Sequence, residues 1–536
     1  MKKYLLVLVS LCCALLPALA EHPEYPELKK SDANIIGHVL DKKTSEHLPY
    51  ITIALKGTTI GTVTDATGHY FLKNLPEGNF MMEVSSVGYK TVTRSVTLKK
   101  GKTLEENFEL EEDAIALDGV VVSANRSETT RRLAPTLVNV VDLKLFETTN
   151  SSTLSQGLNF QPGVRVETNC QNCGFQQVRI NGLDGPYTQI LIDSRPVFSA
   201  LSGVYGLEQI PASMIERVEV MRGGGSALFG SSAIAGTINI ITKEPLRNSG
   251  QLSHTITSIG GSSAFDNNTS LNASLVTDDH RAGLYIFGQN RHRSGYDYDG
   301  DGFTELPKLK NQTVGFRSYL KTSTYSKLTF EYHHMQEFRR GGDMLDRPPH
   351  EAHIAEQLQH SIDGGSLKYD YFSPNEKNRL SVFASAANTD RDSYYGPGND
   401  PLKAYGKTTD LTAMGGVQYV HTFDKCLFMP SDLTAGLEYN RDRLKDNMWG
   451  YDRHTDQTVK VYSAFLQNEW KNKHWGILIG GRLDKHNMVD DVIFSPRANL
   501  RFNPTDNINL RLSYSSGFRA PQAFDEDMHI ENVGGT

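Results

Sequence analysis

The chain has 536 residues, of which 38% are hydrophobic and 22% are charged, and its formal net charge is −7. This length accommodates several domains or one large β architecture. Because the chain carries no basic excess, nucleic acid is not an expected partner. Glycine (46 residues) and tyrosine (23) are abundant whereas tryptophan (3) is scarce, a composition that favours strands and turns.

The first 20 residues have the pattern of a secretory signal peptide. Two lysines follow the initiating methionine, an apolar run covers residues 5–16, and residues 18–20 read ALA, a small-residue cleavage site. The run is too short for a membrane helix, and no later segment has the roughly 20 consecutive apolar residues that such a helix needs. A secreted chain of this kind is either soluble or crosses the outer membrane as a β-barrel.

Residues 33–112 alternate short β-prone runs with turns such as TG, PEG and VG. Strands at this spacing predict a small β-sandwich. The run G-x-V-x-D, the stretch LPYITI, the pattern G-T-x-T-D-x-x-G-x-Y-x-L and the tetrapeptide VGYK resemble the carboxypeptidase regulatory-like domain. This resemblance implies an accessory role, and the block offers no nucleophile beside a base.

A short apolar segment, LDGVVVSA, follows an acidic run at residues 111–113. It is either a linker strand or a docking peptide that adds as an extra strand to a partner's sheet edge. Behind it, residues 125–245 contain the runs LSQGLNFQPGVRVE, QVRINGLDGPYTQILIDSRPV and IPASMIERVEVMRGGGSALFGSSAIAGTINIITKEP. The last run closely resembles the plug domain of TonB-dependent outer-membrane receptors, which implies an α+β plug.

By the same resemblance, the short apolar segment is identified as the TonB box of this family. The family implies that the inner-membrane TonB–ExbB–ExbD complex pulls on this peptide and uses the proton-motive force to do so. The residues of the box are Leu117, Asp118, Gly119, Val120, Val121, Val122, Ser123 and Ala124.

Residues 250–536 show the pattern of an antiparallel transmembrane β-barrel. Short polar connections such as DDHR, STYS and PNEKN alternate with long connections at 293–312, 338–360, 390–408 and 443–459, as expected when one barrel end faces the periplasm. Barrels of plugged transporters have about 22 strands, so we expect a C-terminally truncated barrel. About thirteen strands are predicted, at 251–260, 267–277, 282–292, 313–322, 327–337, 361–373, 379–389, 409–423, 432–442, 460–471, 475–486, 494–503 and 507–517.

The CxxC motif formed by Cys170 and Cys173 lies in a plug loop that the resemblance places toward arriving substrate. A disulfide that braces the loop fits an exported protein. Two thiolates could also contact a metal or metal chelate, although zinc needs about four ligands. A redox role is disfavoured, because no thioredoxin-like βαβ pattern surrounds the motif. The plug residues expected to meet substrate are Cys170, Cys173, Gln176, Arg195 and Tyr205.

The stretch DYDGDGFTE places carboxylates at alternate positions, on Asp297, Asp299 and Asp301. It matches the first half of an EF-hand loop, but the twelfth position is Lys308 instead of glutamate, which excludes a complete EF-hand. The alternatives are a looser Ca²⁺ site in an outer loop and a solvated acidic loop.

The stretch HHMQEFRRGGDMLDRPPHEAHIAEQLQH is rich in imidazole and thioether groups, which can hold copper, zinc or a haem iron. Two histidines three positions apart in HEAH would share one face of a helix. The alternative is a polar outer loop without a ligand. The candidate metal or haem contacts are His333, His334, Met335, His350, His353 and His360.

The predicted fold is therefore mainly β, with an N-terminal β-sandwich, an α+β plug domain and an antiparallel transmembrane β-barrel in the lipid of a Gram-negative outer membrane. The resemblance implies TonB-dependent active import of a scarce nutrient. The run ALFGSSAIAGTINIITK resembles siderophore, haem and cobalamin receptors, which favours a metal or metal-chelate ligand.

Two other functions fit the same blocks. The regulatory-like domain also precedes plugs in importers of glycans or peptides that use a surface lipoprotein, and a surface binding protein that transports nothing is the second alternative. No local motif indicates catalysis, since HEAH is one residue short of H-E-x-x-H. The chain is therefore not expected to be an enzyme or to require a cofactor.

Overall fold

A computed structural model describes the chain at residues 30–65, 67–86, 88–112, 120–126, 129–170, 174–195, 210–277, 279–396, 402, 404–505 and 508–523. Within these ranges the molecule consists mainly of β-strands, arranged in three blocks along the sequence. The predicted fold class is confirmed, because the three blocks are a β-sandwich, an α+β plug and a large antiparallel sheet.

The N-terminal block is a sandwich of two sheets. In the first sheet β1 lies between β4 on one side and β7 and β8 on the other; the second has the order β3-β2-β5-β6. Apolar side chains at alternate positions turn inward, and all buried residues of this core come from residues 33–110. The domain therefore has a hydrophobic core of its own. Its strands are β1 (Lys30–Asp41), β2 (Thr52–Leu55), β3 (Gly61–Val63), β4 (His69–Pro76), β5 (Gly78–Ser85), β6 (Val92–Leu98), β7 (Thr103–Glu105) and β8 (Phe108–Leu110).

The plug is built from strands and short helices. Its strands are β9 (Val120–Val121), β10 (Thr129–Thr130), β11 (Val138–Asp142), β12 (Val164–Cys170), β13 (Phe175–Ile180), β14 (Thr188–Ile192), β15 (Ile215–Arg222) and β16 (Gly236–Thr242). Its helices are α1 (Leu143–Thr148), α2 (Leu154–Leu158) and α3 (Ser226–Phe229), with 3₁₀ turns at Gly185–Tyr187 and Ala212–Met214. In the described part of the chain, no helix is long and apolar enough to cross a membrane.

A four-stranded mixed sheet forms the centre of the plug. Its order is β11-β15-β16-β14, with β14 parallel to β16. The apolar runs of β15 and β16 are buried, and Val218, Val220, Ile238 and Ile240 join the largest plug cluster. Strands covered on both faces read as nearly continuous apolar runs, which explains the INII sequence of β16.

The third block is a single thirteen-stranded sheet, called here the barrel sheet. Each strand pairs antiparallel with the next one along the chain. The strands are β17 (Ser249–Ser258), β18 (Phe265–Val276), β19 (Ala282–Arg293), β20 (Lys308–Ser323), β21 (Ser326–Gly342), β22 (Ala355–Phe372), β23 (Asn378–Gly396), β24 (Tyr405–Cys426), β25 (Met429–Met448), β26 (Arg453–Lys471), β27 (Trp475–His486), β28 (Ile493–Thr505) and β29 (Ile508–Ser515). The 3₁₀ turns Pro349–Glu351 and Trp449–Tyr451 lie in its connections.

The predicted number of strands is confirmed, but several strands are longer than predicted at the ends that carry the long connections. The connection predicted at 443–459 spans only 449–452, because β25 continues to Met448 and β26 begins at Arg453. In this stretch Asp442 and Leu444 are buried, while Arg443 and Lys445 are exposed. Buried and exposed residues therefore continue to alternate in this part of β25. Because charged residues lie on both faces here, the sequence shows no apolar–polar alternation from which the strand could be predicted.

The two faces of the barrel sheet differ in chemistry, because successive residues of a strand point to opposite faces. Leu437 is 65% exposed on one face, whereas the adjacent Glu438 is buried on the other. Leu271 and Leu466 are likewise apolar and exposed, whereas Arg391 is charged and buried. An apolar outer surface and a polar interior are the pattern of a transmembrane barrel.

The N-terminal sandwich touches the barrel sheet at a short turn. The Thr59 N–H donates to the Thr324 carbonyl at 2.9 Å, in the turn between β20 and β21. The Arg247 guanidinium lies 4.3 Å from the centre of the Tyr50 ring. Because short turns of such barrels face the periplasm, these contacts place the sandwich on the periplasmic side.

The core of the sandwich can be tested at two adjacent isoleucines of β1. Ile35 is completely buried, whereas Ile36 is 37% exposed. We expect Ile35→Ala to lower the free energy of unfolding of this domain by about 2–5 kcal/mol, because it leaves a cavity. Ile36→Ala is the control and should cost less than half as much. Urea denaturation measures both, and equal losses would contradict the inward orientation of the odd-numbered residues.

Candidate functional site

Residues 121–126, called here the anchor segment, contain the last four residues of the predicted TonB box and the two residues that follow it. The backbone N–H groups of Val122 and Ser123 each donate to Glu219 Oε2 at 2.9 Å, and the Ser123 hydroxyl donates to the same oxygen at 2.7 Å. Glu219 is completely buried on β15, and Arg217 Nε donates to its other oxygen at 3.0 Å. A buried carboxylate is stable only when it is paired in this way.

The second half of the anchor segment is bound to the barrel sheet. Arg126 pairs with Glu438 on β25, and its guanidinium lies 5.0 Å from the Phe229 ring and 4.9 Å from the Phe465 ring. Arg482 donates to Glu438 Oε2 at 2.7 Å. Two buried cations therefore share one buried carboxylate at the boundary between plug and wall.

Neighbouring contacts extend this attachment along the backbone. Asn125 Nδ2 donates to Glu469 at 2.8 Å, and Arg497 Nη2 donates to the Ala124 carbonyl at 2.6 Å. Gln467 Nε2 donates to the Asn125 carbonyl at 3.1 Å. The anchor segment is thus fixed to the plug at its start and to the barrel sheet at its end.

The predicted TonB box overlaps the anchor segment. Its first residues, Leu117, Asp118 and Gly119, lie outside the described residues. Val120 and Val121 form β9, which pairs with β10, and Val121, Ser123 and Ala124 are completely buried. Together with Val122, whose N–H is bound to Glu219, the described part of the box is packed into the plug.

A second group of charges joins the plug to the wall on β20 and β21. Arg317 contacts the plug carboxylate of Asp193 and also Glu331. Burial alone would raise the pKa of Asp193, but the charge of Arg317 and the hydrogen bonds from Arg317 and Thr242 together hold this pKa below its usual range. Arg195, one of the predicted substrate contacts, is buried beside this group with its guanidinium 4.9 Å from the Phe383 ring.

A polar cavity of about 290 Å³ lies between the plug and strands β17–β19. Gln176, a predicted substrate contact, lines this cavity from the plug side. Arg291 and Arg293 line it from the wall, and Arg291 Nη2 pairs with Asp266 at 2.6 Å. A cavity with guanidinium groups in its wall can accept ligands that carry anionic oxygens.

The cysteine pair occupies the connection between β12 and β13. Cys173 and the side chain of Cys170 lie outside the described residues, so their pairing stays a prediction, and the predicted contact Tyr205 lies outside them as well. The neighbouring Gly174 carbonyl accepts from Arg339 Nη1 at 3.2 Å. Arg339 lies near the end of β21 that leads to the long connection 343–354, so the hairpin reaches toward that end of the barrel sheet.

The predicted acidic loop is compact. Asp297, Asp299, Asp301 and Glu305 each place one carboxylate oxygen within 4.8 Å of the others, and of the described His, Cys, Asp and Glu residues they form the one such group of three or more. The carboxylate of Asp297 accepts from the N–H groups of Gly300 at 2.7 Å and Gly302 at 2.9 Å. Sequence reasoning named the three aspartates, and the structure adds Glu305.

The histidines of the histidine-rich stretch lie at several separate places in the structure. His333 and Met335 point toward the lumen on β21, and His360 lies buried on β22 with its Nδ1 3.5 Å from Glu337. His334 points to the opposite face, where its Nδ1 lies 2.9 Å from Asp363. Adjacent residues of a strand cannot share one face, so His333 and His334 do not converge on one ligand.

The remaining two histidines lie in the long connection 343–354. His350 Nδ1 is 2.8 Å from the Tyr405 hydroxyl, whereas His353 Nδ1 is 2.6 Å from Asp343. Burial would raise the pKa of Asp343, but hydrogen bonds from the Ile354 N–H and from His353 hold this pKa below its usual value. The 3₁₀ turn ends at Glu351, so HEAH does not form the helical face that its spacing predicted.

Sequence reasoning missed the charged residues that hold the plug, above all Glu219, Glu438 and Arg482. The sequence did contain a sign that Glu219 is paired. Glu219 stands between Val218 and Val220, and a charge at such a position must be paired when the strand is buried. One partner, Arg217, is two residues away on the same face of the strand, but the partners in the anchor segment lie about 96 residues away and could not be read from the sequence.

Three family models match the chain in the same order as its structural blocks. Residues 35–122 match the CarboxypepD_reg-like domain, residues 130–237 match the TonB-dependent receptor plug domain, and residues 236–535 match the TonB dependent receptor-like β-barrel. The last of these matches covers more than half of the chain.

Individual relatives are more distant. The chain is 24% identical over 424 residues to the vitamin B12 transporter BtuB of Vibrio vulnificus, with 76% of this chain and 64% of that protein covered. It is 23% identical over 480 residues to the ferric enterobactin receptor of Pseudomonas aeruginosa, with 75% and 61% covered. The crystal structure of the siderophore receptor PirA from Acinetobacter baumannii matches with a TM-score of 0.63 and 19% identity, over 73% of this chain and 62% of that chain.

The chain spans less than two thirds of the length of each of these three relatives. The plug match and the barrel match agree with the plug and the barrel sheet of the structure. They also confirm the predicted outer-membrane location and the prediction that the protein is not an enzyme. The chain belongs to the TonB-dependent receptor family of the outer membrane.

Proposed function

We propose that the protein imports a metal chelate across the outer membrane and that the TonB–ExbB–ExbD complex drives this import by pulling on residues 117–124. The observation that carries the proposal is the position of the anchor segment. It contains the last four of the residues to be pulled, and it is hydrogen-bonded to Glu219 in the plug and ion-paired to Glu438 in the wall.

The position of Glu219 supports a mechanical role. Glu219 lies on β15, which is paired with β11 on one side and β16 on the other. A pull on Val122 and Ser123 would therefore load the central strand of the plug first. Once these donors are withdrawn, a buried carboxylate loses three of its hydrogen bonds, which weakens the centre of the plug.

The proposed substrate class rests on two observations. The relatives include a protein named as a vitamin B12 transporter and one named as a ferric enterobactin receptor. Arg291 and Arg293 line the polar cavity between plug and wall, and guanidinium groups suit the anionic oxygens of many chelates. The alternative is import of glycans or peptides with a surface lipoprotein as partner. An uptake assay with labelled ligands distinguishes the two substrate classes.

Deletion of residues 117–120, the part of the predicted TonB box that precedes the anchor segment, tests the energy coupling. We expect cells with this variant to bind ⁵⁵Fe-siderophores or labelled cobalamin at the surface as before, because the substrate face is unchanged, but to lose uptake. Wild-type cells treated with a protonophore provide the matched control and should show the same loss. Uptake that persists after the deletion would contradict TonB-driven import. If wild-type cells take up labelled glycans and no metal chelate, the proposed substrate class is wrong, but TonB-driven import is not contradicted.

Hydrogen exchange tests the attachment of the anchor segment. We expect Glu219→Ala to speed the amide exchange of Val122 and Ser123 by about 10- to 100-fold, because hydrogen bonds to charged groups contribute about 1.5–3 kcal/mol. The control is Glu216→Ala on the same strand, where the side chain is 47% exposed. Mass spectrometry of a peptide that covers residues 120–126 gives both rates. Equal rates in the two variants would show that Glu219 does not hold the segment.

We also propose that the acidic loop at 297–305 binds Ca²⁺. Its four carboxylates supply the oxygen ligands that Ca²⁺ prefers, and their oxygens lie within 4.8 Å of one another. The hydrogen bonds inside the loop keep these groups close together before any ion binds. The rival interpretation is a solvated acidic loop that these same hydrogen bonds order without an ion.

Calcium titration separates the two interpretations. We expect Asp301→Asn to weaken Ca²⁺ binding at least about tenfold, because it removes one anionic ligand. Asp346→Asn, which alters an exposed carboxylate in the neighbouring long connection, should leave binding unchanged. Isothermal titration calorimetry on the purified receptor measures both affinities. Identical binding by Asp301→Asn and the wild type would favour the solvated loop.

A further inference from the structure

The outer face of β25 and β26 carries an apolar band with an aromatic pair at each end. The rings of Phe428 and Trp470 stack at 17° with their centroids 5.6 Å apart, beside the turn that leads into β25. At the other end, the ring centroids of Tyr439 and Tyr462 are 4.9 Å apart. Leu437, which is 65% exposed, lies between the two pairs. Aromatic residues on both sides of an outward apolar band mark the two interfaces of a membrane.

The spacing of the two aromatic pairs matches the thickness of the hydrocarbon core. Phe428 and Tyr439 are about 11 positions apart, and a tilted transmembrane strand crosses this core with about 9–11 residues. The turn at 427–428 is short, so it belongs to the periplasmic end of the barrel sheet. The pair of Tyr439 and Tyr462 therefore marks the interface of the outer leaflet, and residues of β25 beyond Tyr439 lie at the level of the lipid headgroups.

Three cations lie at this level on the outer face. Arg441 and Arg443 follow Tyr439 at alternate positions of β25, so they point to the same side as Leu437. Lys460 is the register partner of Arg441 on β26. Arg443 and Lys460 are exposed, and Arg441 is half-buried. The three residues are called here the basic row.

The pairing of the strands places these like charges side by side. Register partners have Cβ atoms about 4.5–5.5 Å apart, and like charges at such positions destabilise a sheet. On the β24 side the register partners are Ala413 for Arg441 and Leu411 for Arg443, and Thr458 lies opposite Arg443 on β26. None of these neighbours is acidic, so the arrangement favours an anion supplied from outside the chain.

The nearest charged neighbours along the two strands are already paired. Lys445 Nζ lies 3.2 Å from Asp456 Oδ2, one step further from the membrane. On β27, Lys485 Nζ donates to the carbonyls of Val489 at 3.1 Å and Asp490 at 2.6 Å. Within the described part of the chain, the basic row forms no salt bridge. Its positive charge is therefore not neutralised by these parts of the protein.

We propose that the basic row binds the phosphate groups of an anionic lipid in the outer leaflet. Lysine and arginine near a membrane surface attract anionic headgroups, and the guanidinium fork suits phosphate oxygens. The basic row lies one step beyond the interfacial tyrosines, so the acyl chains of the same lipid would cover Leu437 and Leu466 below it. The site is on the outside of the wall, so it does not depend on the proposed import.

Lipid binding by the purified receptor in detergent tests the proposal, with lipid A as the diphosphorylated probe. We expect the double variant Arg441→Gln/Lys460→Gln to bind lipid A about 30-fold more weakly than the wild type, because it removes two cations near the membrane surface. Lys425→Gln is the control, since it removes an exposed cation at the periplasmic end of β24, and it should keep the wild-type affinity. Native mass spectrometry of a lipid titration measures the three affinities.

Two further probes separate the lipid headgroup from other ligands. Dephosphorylated lipid A should bind the wild type as weakly as lipid A binds the double variant. Inorganic phosphate at the concentration of lipid A should leave the bound lipid in place, and displacement would show a site for free anions and overturn the lipid assignment.

A charge-preserving variant separates a loss of charge from a loss of structure. Arg441→Lys/Lys460→Arg keeps both cations and should preserve lipid binding. Thermal unfolding without lipid shows that each variant is folded, because the replaced side chains lie on the outer face of the sheet. The proposal is overturned if the folded double variant and the wild type bind lipid A with the same affinity.

Discussion

The structure depends on one constraint, which is that backbone polar groups cannot remain unpaired in lipid. Antiparallel pairing with both neighbours satisfies these groups in β18 to β28, and the same pairing gives every strand of the sheet an outward and an inward face. Lipid selects apolar residues for the outward face. The inward face is then free to carry charges such as Glu438 and Arg391, but each buried charge needs a partner.

The plug supplies some of these partners, so plug and wall are joined by ion pairs. Arg126 of the plug reaches Glu438, and Asp193 of the plug reaches Arg317. Such pairs are costly to break one at a time, because each break leaves a buried charge. A plug held in this way is stable at rest, and its movement requires work from outside, which agrees with the proposed energy coupling.

The sequence predicted the structural elements that depend on residues close together in the chain. Apolar–polar alternation identified thirteen strands, but it ended β25 too early, before a stretch that carries charges on both faces, at Arg443 and Asp446. It also contained the information that separates His333 from His334, since neighbours in a strand point to opposite faces. Grouping these two residues by composition ignored the strand to which they belong.

The attachments of the plug could not be predicted in the same way, because their partners are far apart in sequence. Asn125 and Glu469 are separated by 344 positions, and no local pattern connects them. The acidic loop shows the contrasting case, since Asp297, Asp299 and Asp301 are neighbours and their proximity was predicted from spacing alone. Sequence reasoning thus succeeded for short-range geometry and failed for charge pairs made by the fold.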